Sequence, residues 1–485
     1  MTNKVRSVKF NFIMNSILTA SAMIFPIITY PYVSRILQPS GIGTVSFANS
    51  VITYFSMFAQ LGVPTYGIRA CAKVRDDKEK LSRTVQEIML INIVTCIIVY
   101  LAFGCSLYWI PQFREEKLLY IVMGSLILFN TIGVEWLYKG LEQYSYITMR
   151  SIVFKFIALI AMFLLIHEKE DYVIYGGITI FAAAGSNVLN FLNLRKYIYL
   201  HPVGTYNFRQ HLKPISIFFA MSIATTVYTN MDNVMLGFMR GTTENGYYDA
   251  AVKIKNILVS FVTSLGTVLL PRVSYYIEVG EKEKFRQIAK KALNFVFLIS
   301  VPMCIYFILF AKPSIDILSG SAFANAVFPM QLIMPTLVFI GLTNIIGLQM
   351  LVPLGREEQV LYSEIVGAIV NIIVNSLLIP RMGAAGAAIG TVLAEISVFC
   401  VQVAAMRDQI IPVLKKISYL KIALAVVTGS LCSLWVRYFV PNAFFCLVVS
   451  VILFFGSYGI VLLSTREKTA IEIFGQLLGK IRKKE

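Results

Sequence analysis

Polar side chains form three regularly spaced rows inside long apolar stretches, and these rows hold the residues best suited to binding chemistry. With Ser56 in the first row and Ser222, Thr226 and Thr229 in the second, the rows recur every three or four residues, which is the spacing of one face of a helix. Such a face either lines a polar cavity or joins neighbouring helices through hydrogen bonds, and the residue types leave both readings open. The candidate cavity residues are Asn49, Thr53 and Gln60, then Asn230, Asp232 and Asn233, then Asp249, Lys253 and Asn256. Asn230 and Asp232 lie beside the second row.

Charged residues within apolar stretches point more strongly to function, because a charge inside a membrane is costly and usually faces a cavity or a partner. Asp232 and Lys253 fall at similar depth, so they form either a structural ion pair or part of a substrate site. Glu395 lies deep in an apolar stretch and is a candidate ion-coupling residue that carries a proton. Arg69 and Arg272 follow apolar stretches and are candidates for an inner gate or an anion site.

Residues that support covalent or metal chemistry are too scattered to predict a site. The seven Cys residues form no CxxC pair, and their odd number does not indicate a disulfide framework. The three His residues form no ligand motif, and the sequence has no Walker A loop. We therefore expect no metal, no cofactor and no enzymatic reaction.

Membrane-spanning helices are the elements that must position the polar rows. The chain is 57% hydrophobic and 14% charged, whereas a soluble domain has about 25% charged residues. Its apolar runs are long enough to cross a hydrocarbon core of about 30 Å as helices. The sequence predicts an all-α polytopic membrane protein with about fourteen spans, at roughly 11–33, 45–67, 88–110, 118–138, 152–166, 172–194, 215–238, 247–270, 293–310, 327–351, 360–379, 387–405, 419–437 and 443–463.

Lysine and arginine are distributed unevenly between alternate connections, and this asymmetry predicts the orientation. Cytoplasmic connections of membrane proteins are enriched in Lys and Arg. If the N-terminus is placed in the cytoplasm, the inner segments contain about four times as many Lys and Arg residues as the outer loops. Both termini are therefore expected in the cytoplasm. The net charge of +17 follows from this topology and favours anionic membrane lipids over nucleic acid as partners. The inner segments include the stretch TYGIRACAKVRDDKEKLSR and a loop with Glu142 and Arg150, to which we assign a structural role.

An internal repeat relates two parts of the sequence. Sliding the chain by 203 residues (246 minus 43) matches glycine, alanine and arginine positions without a gap. The pairs are Gly43 with Gly246, Ala48 with Ala251, Arg69 with Arg272 and Arg83 with Arg286. We predict two six-helix lobes in parallel orientation, 1–200 and 210–407, followed by a helix pair and a basic cytoplasmic tail in 408–485. Repeats with a substrate site at their interface are typical of secondary transporters.

Several stretches resemble a known family. They are PYVSRILQPSGIGTVSFANS, GVPTYGIRACAKVRDDKEKLSR, EWLYKGLEQYSYITMRSIVFK, DNVMLGFMRGTTENGYYDAAVKIKNI, LLPRVSYY and PRMGAAGAAIGTVLAEI. With their order and the span number, the chain resembles the polysaccharide repeat-unit flippases (Wzx type) of the multidrug/oligosaccharidyl-lipid/polysaccharide exporter superfamily. The resemblance implies two lobes around a central cavity that opens alternately to either side of the bacterial cytoplasmic membrane.

The resemblance also implies a substrate and partners. The cargo is a short oligosaccharide on a polyprenyl diphosphate, moved from the inner to the outer leaflet for O-antigen, capsule or exopolysaccharide assembly. A glycan polymerase and other assembly proteins are candidate partners. The polar rows suit this cargo, because a diphosphate needs cations and sugars need hydroxyl and amide partners.

Two kinds of alternative stay open. Within the superfamily, drug exporters often carry an acidic residue in the first span, and lipid II flippases carry arginines there, whereas this first span has neither before Arg35. Outside it, a membrane glycan polymerase or ligase is less favoured, because such enzymes usually need a large outer loop with catalytic Arg or His. The longest predicted outer loop, 311–326, has only Lys312 and Asp316 as charged residues.

We expect reporter fusions after Lys80 and Lys284 to read cytoplasmic, and fusions near Glu244 and Asn325 to read external. The reason is that the bias in Lys and Arg fixes which connections stay inside. Paired alkaline phosphatase and fluorescent protein fusions measure this. An external signal at Lys284 would refute the predicted two-lobe register.

Overall fold

The computed structural model describes residues 8–279, 281–472 and 475, without the side chains at 265–275 and at a few neighbouring positions. Helices dominate this part of the chain, and it contains no strand. It divides into two compact units, Met1–Gly246 and Tyr247–Glu485. The all-α fold is confirmed, while the predicted division into 1–200, 210–407 and 408–485 stays a prediction.

The first unit is built from α-helices joined by short 3₁₀ and π segments. Its α-helices are α1 (Val8–Gln60), α2 (Val63–Val74), α3 (Lys78–Trp109), α4 (Pro111–Glu115), α5 (Lys117–Ile132), α6 (Glu135–Gly140), α7 (Tyr144–Leu165), α8 (Tyr172–Ile180), α9 (Asn187–Asn193) and α10 (Arg209–Arg240). The short segments are Lys169–Asp171, Phe181–Gly185 and Leu194–Lys196.

The second unit has the same helical character, and its first helix begins just inside the first unit. Its α-helices are α11 (Thr242–Glu278), α12 (Lys282–Leu309), α13 (Ala311–Leu318), α14 (Val327–Ile333), α15 (Thr336–Thr343), α16 (Glu357–Met382), α17 (Ala384–Ala405), α18 (Arg407–Leu414), α19 (Tyr419–Leu434), α20 (Val436–Phe439) and α21 (Ala443–Ser464). The short segments are Ser321–Ala326 and Asn344–Leu351.

Among the described residues, eleven helices are long and apolar enough to cross a membrane, or twelve if one bent pair counts as a span. One of them, Phe10–Val74, contains two predicted spans in 65 residues. A straight helix of that length would extend about 100 Å, roughly three times the hydrocarbon thickness. The predicted span 247–270 falls in α11, and its side chains from 265 onward lie outside the described residues. The polytopic fold is confirmed, and the number fourteen stays a prediction.

Helix α1 organises the first unit, because α3, α5, α7, α8 and α10 all contact it. Its backbone leaves the helical region at Gln38 (φ 57°, ψ 179°), directly before Pro39. A proline disfavours helical geometry in the residue before it and cannot donate a backbone hydrogen bond. Helix α1 is therefore two helical stretches joined at a break, which explains how one element holds two predicted spans.

The basic connection after α2 is ordered by a helix cap. The Asp77 carboxylate accepts hydrogen bonds from the backbone N–H groups of Glu79 and Lys80, both at 3.1 Å, and so begins α3. The Lys80 backbone N–H and its ammonium hold the pKa of the Asp77 carboxyl below its ordinary value. The contribution of this cap is therefore present above the ordinary pKa of Asp and is lost as the pH falls through the lowered value.

The second unit contains two helical hairpins. Helices α16 and α17 pack so closely that a Cβ at Gly386 would lie 2.6 Å from the Leu378 carbonyl carbon. Helices α19 and α21 form the other hairpin, which packs on α12 and α13. Tyr306 of α12 joins it by sharing a 2.8 Å hydrogen bond with Ser450 of α21. The stretch PRMGAAGAAIG thus has a packing role, since its small residues allow close helix contact.

A reciprocal backbone contact joins the break in α1 to the start of α11, within the first unit. A Cβ at Gly43 would overlap the carbonyl oxygen of Thr242, and a Cβ at Gly246 would overlap the carbonyl oxygen of Pro39. The Asn245 side chain also donates to the Gly43 carbonyl at 3.2 Å. Residues 39 and 242, like 43 and 246, are 203 apart (242 minus 39). The two contacts thus fall at positions that the proposed repeat would relate, and the repeat itself stays a prediction.

We expect Gly246→Ala to lower the amount of folded protein in the membrane, because the added methyl group would overlap the Pro39 carbonyl. Gly456→Ala is the matched control, since nothing lies within 4 Å of a Cβ there. Thermal unfolding of the purified variants, followed by fluorescence-detected size exclusion, measures the difference. An equal stability for both variants would contradict the close backbone contact.

Candidate functional site

The first polar row lies on α1 beyond the break. Asn49 is exposed, and its side chain has no hydrogen-bond partner in the described structure. Thr53 is half-buried and donates to the Asn49 carbonyl at 2.7 Å. Gln60, also half-buried, donates to the Ser56 hydroxyl at 3.0 Å. The row therefore mixes free hydrogen-bonding groups with groups already used in packing.

The second row lies on α10. Asn230 donates to the Thr229 hydroxyl at 2.9 Å, within its own helix. Asp232 is buried, with 7% of its surface exposed. The side-chain oxygen of Asn233 is buried without a hydrogen-bond partner among the described residues. The second row lies on a helix that contacts α1, the helix of the first row.

The third row belongs to the second unit, and the remaining candidates lie on α2, α11 and α17. Asp249 and Lys253 are half-buried in α11, and Asn256 is exposed. Because Asp232 and Lys253 belong to different units, their predicted pairing stays a prediction. The other candidates are Glu395, which is buried in α17; Arg69, which is exposed on α2; and Arg272, whose side chain lies outside the described residues.

A buried polar network in the first unit is the most developed arrangement of this kind, and it centres on Arg150. The sequence suggested an inner loop for Arg150, whereas the residue lies in α7 with 4% of its side chain exposed. Its guanidinium donates to the Ser186 hydroxyl at 2.6 Å, to the Asn187 side-chain oxygen at 3.2 Å and to the Glu135 carboxylate at 3.1 Å. The loop assignment failed because the charge gave no sign that buried acceptors surround it.

The network continues from Asn187 to the first polar row. Asn187 donates to the Asn130 side-chain oxygen at 3.4 Å, and Asn130 donates to the Ser56 hydroxyl at 3.1 Å. Ser56 also accepts the bond from Gln60. One chain of hydrogen bonds therefore joins α1, α5, α7 and α9, and it assigns Gln60 a packing contact in addition to its predicted cavity role.

Glu135 is the only carboxylate that the described structure places within ion-pair distance of Arg150. Lys139 contacts its other oxygen at 2.8 Å, so one carboxylate serves two cations. The Glu135 and Lys139 side chains are about one-third exposed (35% and 33%), whereas Arg150 is enclosed. The Arg150 Nε atom is buried without a partner. This cluster carries an excess of positive charge.

A second polar cluster joins the start of α10 and the preceding Asn207 to α2 and α3. The fully buried Glu87 carboxylate accepts from the Asn207 backbone N–H at 2.7 Å and from Gln210 at 2.9 Å, and it contacts His211 Nε2 at 2.6 Å. His211 Nδ1 lies 2.6 Å from the Tyr66 hydroxyl. This hydroxyl, imidazole and carboxylate series resembles an acid–base relay. Its members are at most 9% exposed, so no substrate reaches it and its role is structural.

In the part of the chain that the structure describes, no three His, Cys, Asp or Glu side chains form a group that could hold a metal ion. The polar groups that are present donate and accept hydrogen bonds or carry fixed charge. Such groups can bind, orient and neutralise a ligand without breaking a bond.

We expect Arg150→Ala to lower the free energy of unfolding by about 1.5–3 kcal/mol, the usual loss for hydrogen bonds to charged groups. Arg75→Ala is the matched control. Arg75 makes a 2.7 Å ion pair with Glu142, and an exposed pair is worth at most about 1 kcal/mol. Detergent denaturation of both variants measures the two losses. Equal losses would contradict the central place of Arg150.

Family models match the chain over two regions. The polysaccharide biosynthesis protein family matches residues 8–277, and the MatE family matches residues 217–377. The first match covers more than half of the 485 residues and includes the polar network and the first two polar rows.

Two curated relatives are similar over most of the chain, and a third is similar over about a third of it. A putative O-antigen transporter of Escherichia coli (strain K12) is 25% identical over 360 residues, which are 74% of this chain and 86% of the relative. Another putative O-antigen transporter, from Shigella dysenteriae, is 23% identical over 411 residues, 82% of this chain and 100% of the relative. The probable flippase Agl15 of Haloferax volcanii is 23% identical over 172 residues, 36% of each chain.

Solved structures show the fold. The inward closed conformation of the lipid II flippase MurJ has a TM-score of 0.73 at 17% identity and covers 94% of this chain and 99% of its own. An inward-facing MATE family transporter of the MOP superfamily has a TM-score of 0.62 at 15% identity and covers 84% and 99%. With a family model matching more than half of its length, the chain belongs to the polysaccharide biosynthesis protein family.

Proposed function

We propose that this protein is a flippase. It moves polyprenyl-diphosphate-linked oligosaccharide repeat units from the inner to the outer leaflet of the bacterial cytoplasmic membrane by alternating access. The observation that carries the proposal is the family match over residues 8–277, joined by two relatives named as putative O-antigen transporters. The flippase fold of MurJ, which covers 94% of this chain, supports it.

Such a protein must lower the free-energy barrier for moving a polar headgroup across the membrane. A sugar headgroup with a diphosphate cannot enter the hydrocarbon core unaided, because each polar group that loses water without a partner costs several kcal/mol. A helical protein that presents hydroxyl, amide and cationic groups at membrane depth supplies those partners. Exposed or half-buried members of the polar rows, such as Asn49 and Thr53 on α1 and Asn230 on α10, have side chains of this kind. We propose all three rows as lining of the substrate path.

The protein needs no catalytic residue for this work, since translocation breaks no covalent bond. Its relatives are named as transporters and flippases, in keeping with a non-enzymatic role. A polymerase or ligase is further disfavoured by the predicted outer loop 311–326. That segment is mostly helical, as α13 and Ser321–Ala326, and its Ile315 and Phe323 are fully buried.

A lipid II or drug exporter of the same superfamily is the second candidate, and the MatE match over residues 217–377 is the observation that favours it. The O-antigen transporter relatives cover 74% and 82% of this chain, whereas the MatE region is shorter. We therefore place the repeat-unit cargo first. O-antigen, capsule or exopolysaccharide assembly is the proposed pathway class, with a glycan polymerase and assembly proteins as proposed partners and both termini in the cytoplasm.

We expect the purified protein in proteoliposomes to move a fluorescent undecaprenyl-diphosphate oligosaccharide between leaflets at least tenfold faster than empty liposomes. The polar rows should lower the barrier for its headgroup. Loss of fluorescence to an external, membrane-impermeant reductant measures the movement. Phosphatidylcholine with the same fluorophore is the control lipid and should cross at the background rate.

Two results would contradict the proposal. Equal acceleration of both lipids would indicate a non-selective scramblase. Transport of a cationic drug against a proton or sodium gradient, without movement of the oligosaccharide lipid, would favour the drug exporter.

A further inference from the structure

Lys155 occupies the middle of a membrane-spanning helix. Helix α7 runs from Tyr144 to Leu165, so Lys155 is eleven residues from its start (155 minus 144) and ten from its end (165 minus 155). At 1.5 Å per residue, about 15 Å of helix lies on either side, which is half of a hydrocarbon core about 30 Å thick. Transporter substrates commonly bind near this midplane.

Most of the N–H donors of the Lys155 ammonium have no hydrogen-bond partner among the described residues. The residue is half-buried, and its ammonium donates one hydrogen bond, to the Ser21 hydroxyl of α1 at 2.9 Å. The described residues place no carboxylate within 4 Å of it. An ammonium has three N–H donors, so two remain available. A charged group in this position usually marks a functional site, because the membrane makes an unpaired charge costly.

The neighbouring charges do not neutralise Lys155. Glu135 already contacts Lys139 and Arg150. It acts on Lys155 only as a more distant electrostatic partner. Three cations against one carboxylate leave an excess of two positive charges (three minus one) in this part of the first unit. A diphosphate with a substituent at each end carries roughly two negative charges near neutral pH, so the charges match.

The cations also lie at successive depths. Lys139 precedes α7, Arg150 is six residues into it (150 minus 144) and Lys155 is eleven residues in. Arg150 is enclosed by its partners, whereas Lys155 keeps unused donors and partial exposure. Lys155 is therefore the better direct contact for a ligand anion, whereas Arg150 contributes a fixed positive potential.

Resting on the proposed function, we propose that Lys155 and Ser21 form an anion site that binds the diphosphate of the lipid-linked cargo at mid-membrane depth. The ammonium would donate charge-assisted hydrogen bonds to the phosphate oxygens. The Ser21 hydroxyl, which now accepts from Lys155 and donates to the Leu18 carbonyl at 2.7 Å, would keep the ammonium pointed toward α1. A structural role would instead use Lys155 only to hold α1 against α7.

The test compares binding by Lys155→Met, which keeps the side-chain volume but removes the charge, with binding by Lys155→Arg. Lys169→Met, at an exposed position, is the matched control. Native mass spectrometry gives the Kd for undecaprenyl diphosphate, undecaprenol, phosphatidylglycerol and inorganic diphosphate. We expect Lys155→Met to weaken undecaprenyl diphosphate binding at least tenfold. Lys155→Arg and Lys169→Met should stay within threefold of the wild type, and undecaprenol should bind all variants alike.

Several outcomes would overturn the inference. A Lys155→Met variant that binds undecaprenyl diphosphate within twofold of the wild type shows that the lysine is structural. Equal losses for phosphatidylglycerol assign the site to membrane phospholipid. A wild type that binds inorganic diphosphate as tightly as undecaprenyl diphosphate shows a site for the free anion. Failure of the proposed function looks different, because the wild type would then not translocate the oligosaccharide lipid at all.

A second measurement leaves Lys155 unchanged and applies even if its variants accumulate poorly. In a chain whose seven native cysteines are replaced by serine, Ala22→Cys provides a thiol next to Ser21 and leaves both residues of the proposed site unchanged. We expect undecaprenyl diphosphate to slow maleimide labelling of this thiol at least fivefold, while undecaprenol has no effect. Equal labelling with both lipids would refute occupancy beside Ser21.

Discussion

The sharing of the Glu135 carboxylate between Lys139 and Arg150 is the interaction on which the first unit depends. In a low-dielectric interior, an ion without a partner is expensive, and breaking a buried pair is far more damaging than replacing both members. Arg150 therefore requires Glu135, and its remaining N–H groups require Ser186 and Asn187. The hydrogen bonds that follow reach α1 through Asn130. One electrostatic requirement thus fixes the relative positions of four helices.

Backbone proximity supplies a second constraint, at the break in α1. Glycine at 43 and 246 lets two carbonyl groups approach where any side chain would collide. Small residues permit such contacts between membrane helices, where dispersion forces and polar contacts replace the hydrophobic effect as the source of association. The broken α1 is then held at two places, by glycine contact near residue 43 and by the polar network near Ser56. Its residues between these places include Asn49 and Thr53.

Sequence reasoning predicted the helical membrane fold and the family, because apolar length and the order of motifs are properties of the chain alone. It also selected Gln60, which the network includes. It placed Arg150 in a loop and did not single out Lys155, since neither helix ends nor burial around a charge can be read from spacing in a short apolar run. The sequence assigned 152–166 as the fifth span, and the helix begins eight residues earlier, at Tyr144 (152 minus 144). That difference moves two cations from the membrane edge into the membrane.

The number of hydrogen-bond partners distinguishes two kinds of polar residue that have the same sequence pattern. Asn130, Asn187 and Arg150 use most of their donors on other side chains, with the Arg150 Nε atom as an exception. Side-chain networks of this kind specify and stiffen a fold. Asn49 has a free side chain, and Lys155 keeps two free donors. A hydrogen-bond donor without a partner at membrane depth destabilises the folded protein, and no other contact within the protein compensates for this loss of stability. A ligand that supplies acceptors offsets this cost, so the unsatisfied residues are the better candidates for contact with a polar cargo.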